Sequence, residues 1–170
     1  MLVLMTGLPG TGKSTLAREL AQHLSATVLD KDEIRSVLFE PRHLEYSTRQ
    51  DDFVMEIMLQ TAGYLFAEDP KRTIFLDGRP FSRNSQIERV TTFAASLDQP
   101  WRILECVCSE ESARHRLQST SAEHPAANRD FDLYLDVQTR SQPIPPPKTV
   151  IDTDAPLETC ASLALEALRA

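Results

Sequence analysis

The sequence has little cysteine and no paired cysteine motif. Its three cysteines are Cys106, Cys108 and Cys160, and the first two are separated by one residue within an apolar stretch. A disulfide framework usually needs an even set of cysteines, and a structural zinc site needs about four ligands at short spacings. The sequence therefore predicts reduced cysteines, with Cys106 and Cys108 partly buried in a strand, and a reducing, cytoplasmic location.

Long apolar runs are also missing. No segment approaches the run of about 18 apolar residues that spans a membrane. The apolar residues 2–5 directly follow Met1, without a basic leader or a cleavage site. We therefore expect no contact with a membrane and interpret residues 2–6 as the first strand of the core.

The chain lacks a surplus of positive charge. It has 18 Lys and Arg against 25 Asp and Glu, which gives a net charge of −7. Proteins that bind nucleic acid usually carry a basic surface for the phosphates. A long polynucleotide partner is thus less expected than a small molecule, although a local basic groove can exist on an acidic protein. No pattern indicates an oligomeric state.

What the chain does contain is a regular alternation of strand and helix patterns. Apolar strand patterns occupy residues 2–6, 26–29, 73–76, 101–107 and 149–151. Helical patterns occupy residues 13–24, 47–68, 83–96, 109–117, 130–139 and 156–168, and the polar residues 118–128 are typical of a loop. Five alternations predict an α/β sandwich around a parallel sheet.

Three segments follow the ends of predicted strands and carry functional side chains. They are the loop after Thr6, Asp30 at the end of the second strand and Asp77 at the end of the third. Ligands bind at the carboxyl ends of the strands in sheets of this kind. We therefore expect all three segments to face one crevice.

The loop after the first strand is the most specific motif of the sequence. Residues 7–14 read Gly-Leu-Pro-Gly-Thr-Gly-Lys-Ser and match the P-loop pattern G-x-x-x-x-G-K-[ST] in full. Its glycines let backbone N–H groups point at phosphate oxygens, Lys13 should contact the β- and γ-phosphates, and Ser14 should bind Mg²⁺. The predicted cofactors are ATP and Mg²⁺, and the predicted nucleotide-binding residues are Gly7, Leu8, Pro9, Gly10, Thr11, Gly12, Lys13, Ser14 and Thr15. The motif alone does not distinguish a kinase from an ATPase or a switch.

An acidic and basic stretch follows the second strand. Asp32 is the candidate general base for an acceptor hydroxyl, and Arg35, one helical turn later, is a candidate acceptor-binding residue. The alternative is that Asp30 or Asp32 only caps the following helix.

Asp77 and two arginines follow the third strand. Asp77 after an apolar strand is the Walker-B arrangement and is a candidate Mg²⁺ ligand, directly or through water; the alternative is an Asp-Gly turn. Arg79 and Arg83 are expected at the rim of the acceptor site, where they would pair with an anionic substrate. A solvated charged loop is the alternative for both.

Together these motifs resemble the small P-loop kinases, among them the kinase domain of phage polynucleotide kinase, chloramphenicol phosphotransferase, zeta-type toxins and gluconate kinases. The Asp30-Lys31-Asp32-x-x-Arg35 stretch is most similar to the polynucleotide kinase pattern, where the matching Asp is the general base and the matching Arg contacts the acceptor. The resemblance implies one P-loop kinase domain over residues 1–170. It also implies a three-layer sandwich, with a five-stranded parallel sheet of order 2-3-1-4-5 and helices on both faces.

The resemblance further implies a lid after the fourth strand that brings arginines over the ATP phosphates. The matching segment is about residues 115–130, and Arg116, which precedes a leucine, is the best match for a catalytic arginine. Many relatives have a second arginine just beyond, where this chain has residues 118–120. Arg114 or Arg129 would then substitute for it.

Three functions follow from these observations. The first is transfer of the γ-phosphate of ATP to a hydroxyl of a small metabolite or antibiotic, with Asp32 as general base. The second is a polynucleotide 5′-hydroxyl kinase. The third, from another class, is a nucleotide-dependent regulatory or switch protein that has no acceptor.

Overall fold

Five parallel strands form a single sheet in the computed structural model, which describes residues 1–120 and 130–169. They are β1 (Leu2–Thr6), β2 (Thr27–Asp30), β3 (Ile74–Asp77), β4 (Trp101–Val107) and β5 (Thr149–Asp152). Their order is β2-β3-β1-β4-β5. The predicted α/β class is confirmed, and so is the strand order that the resemblance implied.

Helices connect these strands. They are α1 (Lys13–Leu24), α2 (Lys31–Leu38), α3 (Thr48–Glu68), α4 (Asn84–Ser96), α5 (Glu110–Thr120), α6 (Phe131–Arg140) and α7 (Leu157–Arg169). The loop predicted from residue 118 is wrong for residues 118–120, which extend α5. Ser119 Oγ donates to the Arg116 carbonyl at 3.2 Å, so a polar side chain satisfies a backbone acceptor without ending the helix.

Side chains of the central strands alternate between two cores. Leu2 and Leu4 of β1 pack on one face of the sheet with residues of α3 and α4, including Val54 and Ile87. Val3 and Met5 pack on the other face with residues of α1 and α7. Because successive strand residues point to opposite faces, a continuous apolar run is what a strand covered on both faces requires. The expectation of helices on both faces is confirmed.

The register of the sheet assembles the predicted crevice. β1 lies between β3 and β4, and its carboxyl end leads directly into residues 7–12. In the pairing of β2 with β3, Asp30 lies opposite Asp77. The loop after Thr6 and both aspartates therefore lie at one edge of the sheet, as expected. Across the two described ranges, no helix combines the length and the apolar character that crossing a membrane would need.

Candidate active site

The loop between β1 and α1 has a backbone that requires glycine. Gly7 has φ 123°, and a Cβ atom at this position would lie 2.2 Å from the Cys106 carbonyl oxygen of β4. Gly12 has φ 77° and is the N-cap of α1. The first N–H groups of α1 have no partners within the helix, so the loop and the start of the helix together form an anion-binding cradle.

Lys13 lies across this cradle. Its Nζ donates to the Leu8 carbonyl at 2.7 Å, and the same carbonyl accepts from Thr11 Oγ1 at 2.8 Å. Lys13 is largely buried and also lines the cleft described below. The cation is thus held beside the loop backbone, where the predicted phosphate contacts would form.

Asp30 caps α2. Its Oδ1 accepts from the backbone N–H groups of Asp32 at 2.8 Å and Glu33 at 3.2 Å, so the capping alternative is correct for Asp30. Asp32 lies in the first turn of α2 and is not the cap. Burial, followed by the negative charges of Asp77 and Asp32, raises the pKa of Asp30 to about 6.

Asp77 is buried beside Asp30, and neither of its carboxylate oxygens has a hydrogen-bond partner among the described residues. An unpartnered buried carboxylate is costly, and oxygen ligands of this kind are the ones that Mg²⁺ prefers. The residue therefore fits the predicted role of a Mg²⁺ ligand, direct or through water, and the predicted second ligand, Ser14, lies at the start of α1. Gly78 follows with φ 84°, in the left-handed region that favours glycine.

A network of charged side chains surrounds Asp32. Arg35 donates to Asp32 Oδ1 at 3.0 Å and pairs with Asp51. Lys31 Nζ lies 2.9 Å from Asp51 Oδ1 and 3.5 Å from Asp32 Oδ1. The Arg35 guanidinium also lies 5.5 Å from the centre of the Tyr46 ring. Burial lowers the pKa of Lys31 to about 8, in spite of the opposing effect of Asp32.

One cleft joins the P-loop to this network, and we call it the central cleft. It is open to solvent and is lined by Pro9, Lys13, Ser14, Lys31, Asp32, Arg35, Tyr46, Asp51, Gly78, Pro80, Leu133, Val137 and Arg140. The structure thus brings the predicted phosphate-binding, base and acceptor-binding residues together.

Several of these lining residues were not predicted. The sequence feature that points to Lys31 is its position between Asp30 and Asp32. The residues of α6 that line the cleft, Leu133, Val137 and Arg140, are spaced as one helical stripe.

Arg79 and Arg83 lie at the predicted rim. With Arg140, they line a second cleft that adjoins the central one. Arg79 is only 5% exposed, and its guanidinium donates to Asp52 Oδ1 at 2.6 Å. The solvated-loop alternative is therefore wrong for Arg79, because burial against α3 removes most of its contact with water.

The arginines of the predicted lid have different surroundings. Arg116 donates to Thr153 Oγ1 at 3.0 Å and to the Thr153 carbonyl at 2.7 Å, beside Gly12 of the P-loop. Arg114 pairs with Glu110 and lies 3.7 Å from the centre of the Phe131 ring, where α5 meets α6. Arg129 is outside the described residues, and the lid itself stays a prediction.

Residues 2–140 match a protein family described as an AAA domain. The chain belongs to this AAA domain family. Comparison with curated protein sequences gives no match.

Solved structures share the fold of this AAA domain along almost its whole length. A provisionally named kinase of Chloroflexus aurantiacus J-10-fl is 22% identical, with a TM-score of 0.75, and the match covers 97% of this chain and 96% of that one. The APS kinase CysC of Mycobacterium tuberculosis, solved with AMPPNP and APS, is 18% identical, with a TM-score of 0.74 and coverages of 99% and 97%. Kti12 of Chaetomium thermophilum, solved with ADP-AlF₃, is 15% identical, with a TM-score of 0.70 and coverages of 100% and 98%. The fold that the resemblance to small P-loop kinases implied is thereby confirmed.

Proposed function

We propose that this protein is an ATP-dependent phosphotransferase that moves the γ-phosphate of ATP to a hydroxyl of a small metabolite or antibiotic. One observation carries the proposal: the central cleft is lined both by Lys13 and Ser14 of the P-loop and by Asp32. Phosphoryl transfer depends mainly on positioning and on charge neutralisation, so the donor and the acceptor must share one space. A carboxylate that faces the same space as the phosphate cradle meets this requirement.

The P-loop side supports ATP as the donor. Two proteins of the same fold have been solved with AMPPNP and with ADP-AlF₃. A pocket lined by Gly12, Thr15, Arg116 and Thr153 adjoins the outer side of the loop and offers room for the nucleoside. Mg²⁺ held by Ser14 and Asp77 would neutralise phosphate charge and orient the phosphates.

The Asp32 carboxylate would receive the proton of the acceptor hydroxyl. As that hydroxyl oxygen bonds to the γ-phosphorus, the bond from the γ-phosphorus to the bridging oxygen breaks and ADP leaves. Among the described residues, Lys31 and Arg35 both contact Oδ1 of Asp32. We therefore assign the proton to Oδ2, while Lys13 neutralises charge on the phosphates.

Free thiols favour a cytoplasmic location for this activity. Cys106, Cys108 and Cys160 are all unpaired, and Cys106 and Cys160 are buried. Free cysteines are typical of proteins that work in a reducing compartment.

A polynucleotide 5′-hydroxyl kinase is the second candidate. The observation that favours it is the row of Arg79, Arg83 and Arg140 beside the central cleft, because cationic grooves follow nucleic-acid backbones. The switch hypothesis differs from both kinases in having no need for Asp32.

Label transfer from γ-labelled ATP in the presence of Mg²⁺ tests the proposal. Wild type, Asp32→Asn and Glu33→Gln are compared on a metabolite extract and on a 5′-hydroxyl oligonucleotide. Glu33 is the matched control because it is the next acidic residue on α2 and pairs with the exposed Arg18. We expect Asp32→Asn to lower transfer by about 10²- to 10⁴-fold, as for loss of a general base, with Glu33→Gln near wild type.

Each result has a definite meaning. Asp32-dependent label in a small molecule supports the leading proposal, and label only in the oligonucleotide replaces it with the polynucleotide kinase. Equal transfer by wild type and Asp32→Asn would show that Asp32 is not the general base. Nucleotide binding without transfer to either acceptor would favour the switch.

A further inference from the structure

We propose that the acceptor carries an oxyanion, a phosphate or carboxylate group, in addition to its reacting hydroxyl. Arg83 and Arg140, which we call the distal arginine pair, would bind this oxyanion while the hydroxyl lies at Asp32. The inference rests on the proposed phosphotransferase function and names the substrate class of the same site.

The charged side chains that line the central cleft and the second cleft are mostly cationic. The two clefts share Asp51, Pro80 and Arg140, so they adjoin each other. Six cationic side chains line them, namely Lys13, Lys31, Arg35, Arg79, Arg83 and Arg140, together with two acidic ones, Asp32 and Asp51. The chain as a whole has a net charge of −7, so this local excess of positive charge is opposite in sign to the charge of the whole chain. A cleft lined by one sign of charge concentrates ligands of the other sign.

The partners of these cations show which charges are available to a ligand. Arg35 and Lys31 are bound by Asp32 and Asp51, and Arg79 is bound by Asp52. The distal arginine pair is different. Arg140 has an exposed partner one turn away, Asp136, at 3.1 Å, and exposed pairs of this kind exchange readily. Arg83 forms no ion pair with any residue in the described ranges.

Two hydrogen bonds join the backbone segments that carry the distal arginine pair. Gln142, just after Arg140, accepts from the Asn84 N–H through its Oε1 at 2.8 Å. The Gln142 N–H donates to the Ser82 carbonyl at 2.9 Å. Ser82 and Asn84 flank Arg83, so the two segments are joined before any ligand binds. A site assembled in advance loses less conformational entropy on binding.

The wall of the central cleft constrains the body of the acceptor. Leu133, Val137 and Arg140 form one stripe of α6 at spacings of four and three residues, about 10 Å in length. The stripe is apolar at its first two positions and cationic at its last. It fits a molecule the size of a sugar acid, a sugar phosphate or a nucleotide, with an uncharged body between the hydroxyl and the oxyanion.

The test separates a metabolite extract on an anion-exchange resin before the reaction. The retained and unretained pools are then incubated with γ-labelled ATP, Mg²⁺ and wild type or Asp32→Asn. We expect Asp32-dependent label from the retained pool. A 5′-hydroxyl oligonucleotide with internal phosphates, assayed separately, distinguishes a nucleic-acid source of the oxyanion from a small metabolite.

The labelled acceptor is then used to measure KM and kcat for Arg83→Gln, Arg140→Gln and Arg83→Lys. Arg169→Gln, which removes the same charge from the exposed end of α7, is the control. We expect each glutamine variant to raise KM about 10-fold or more with little change in kcat, since a charged hydrogen bond is lost away from the reacting atoms. Arg83→Lys should recover part of the affinity, and Arg169→Gln should match wild type. Unfolding temperatures show that each variant is folded.

Two results would overturn the inference and leave the kinase in place. One is Asp32-dependent label that comes only from the unretained, neutral pool. The other is an unchanged KM in both glutamine variants. Absence of Asp32-dependent label from every acceptor would instead overturn the proposed function, and the inference with it.

Discussion

Asp30 and Asp77 lie opposite each other at the carboxyl ends of β2 and β3, and they are only 5% and 1% exposed. Two carboxylates buried this close raise the free energy of the folded chain unless a proton or a cation lies beside them. Asp30 accepts from the two backbone N–H groups of its cap and lies 3.6 Å from the Arg18 guanidinium, whereas Asp77 has no hydrogen-bond partner among the described residues. Asp77 is therefore the uncompensated carboxylate of the pair, which agrees with its proposed role as a Mg²⁺ ligand.

The first prediction concerns Asp30→Asn. Asparagine keeps the cap of α2, because its Oδ1 can accept from the same N–H groups, and it removes the buried charge. The pKa of Asp30 rises from 3.8 to about 6 on folding, so the folded state binds more protons than the unfolded state between these values. Stability from this group is present below about pH 4 and is lost as the pH rises through about 6.

We therefore expect Asp30→Asn to be about 1–3 kcal/mol more stable than wild type near pH 7.5, in the absence of nucleotide and Mg²⁺. Near pH 4 the two proteins should differ much less. Urea unfolding at both pH values measures this difference. A variant whose stability follows the wild-type pH profile would contradict the explanation.

The second prediction is that Lys13→Ala abolishes turnover. The substitution removes the cation held beside the phosphate cradle and its hydrogen bond to the Leu8 carbonyl. Loss of such a preorganised charge commonly lowers turnover by about 10²-fold or more. Lys71→Ala, at an exposed lysine after α3, is the control for loss of a positive charge. Near-normal turnover in Lys13→Ala would contradict the kinase proposal.

The third prediction compares alanine at two glycines. At Gly7, alanine would bring Cβ to 2.2 Å from a backbone oxygen at φ 123°, so we expect a loss of more than about 2 kcal/mol and of ATP binding. At Gly63, inside α3, the new methyl would contact Phe93 at an ordinary 3.5 Å. There we expect a gain of roughly 0.5–1 kcal/mol, because alanine favours the helix. Chemical unfolding and ATP titration of both variants provide the comparison, and a tolerated Gly7→Ala would refute the predicted loop geometry.

The fourth prediction assigns the lid arginine. Hydrogen bonds to Thr153 hold Arg116 beside the P-loop. In the proposed lid role Arg116 would bind a phosphate of ATP, so we expect Arg116→Ala to lower affinity for ATP about 10-fold, the effect of losing a charged hydrogen bond. Arg114→Ala removes the pair with Glu110 and the contact with Phe131, so we expect a small loss of stability and unchanged ATP affinity. Calorimetric titration with ATP distinguishes them. The reverse pattern would transfer the predicted role from Arg116 to Arg114.

Local patterns predicted the strands, most of the helices and the P-loop, because each depends on residues close together in sequence. The crevice also followed from them, since strand ends of a parallel sheet share one edge. The loop predicted from residue 118 failed for its first three residues, where the Ser119 hydroxyl bonds back to its own helix. The strand order came from the resemblance, since local patterns do not determine how distant strands pair.

The sequence by itself determined the phosphate cradle, because Gly7, Gly10 and Gly12, which all have positive φ, and Lys13 belong to one continuous motif. Tertiary structure alone decided what faces that cradle. It buried Lys31 and Arg35 against Asp51, and it brought α6, about 100 residues further along the chain, over the same cleft with Arg140 beside Arg83. Contacts of this kind depend on how helices pack on the sheet, which spacing along the sequence does not specify.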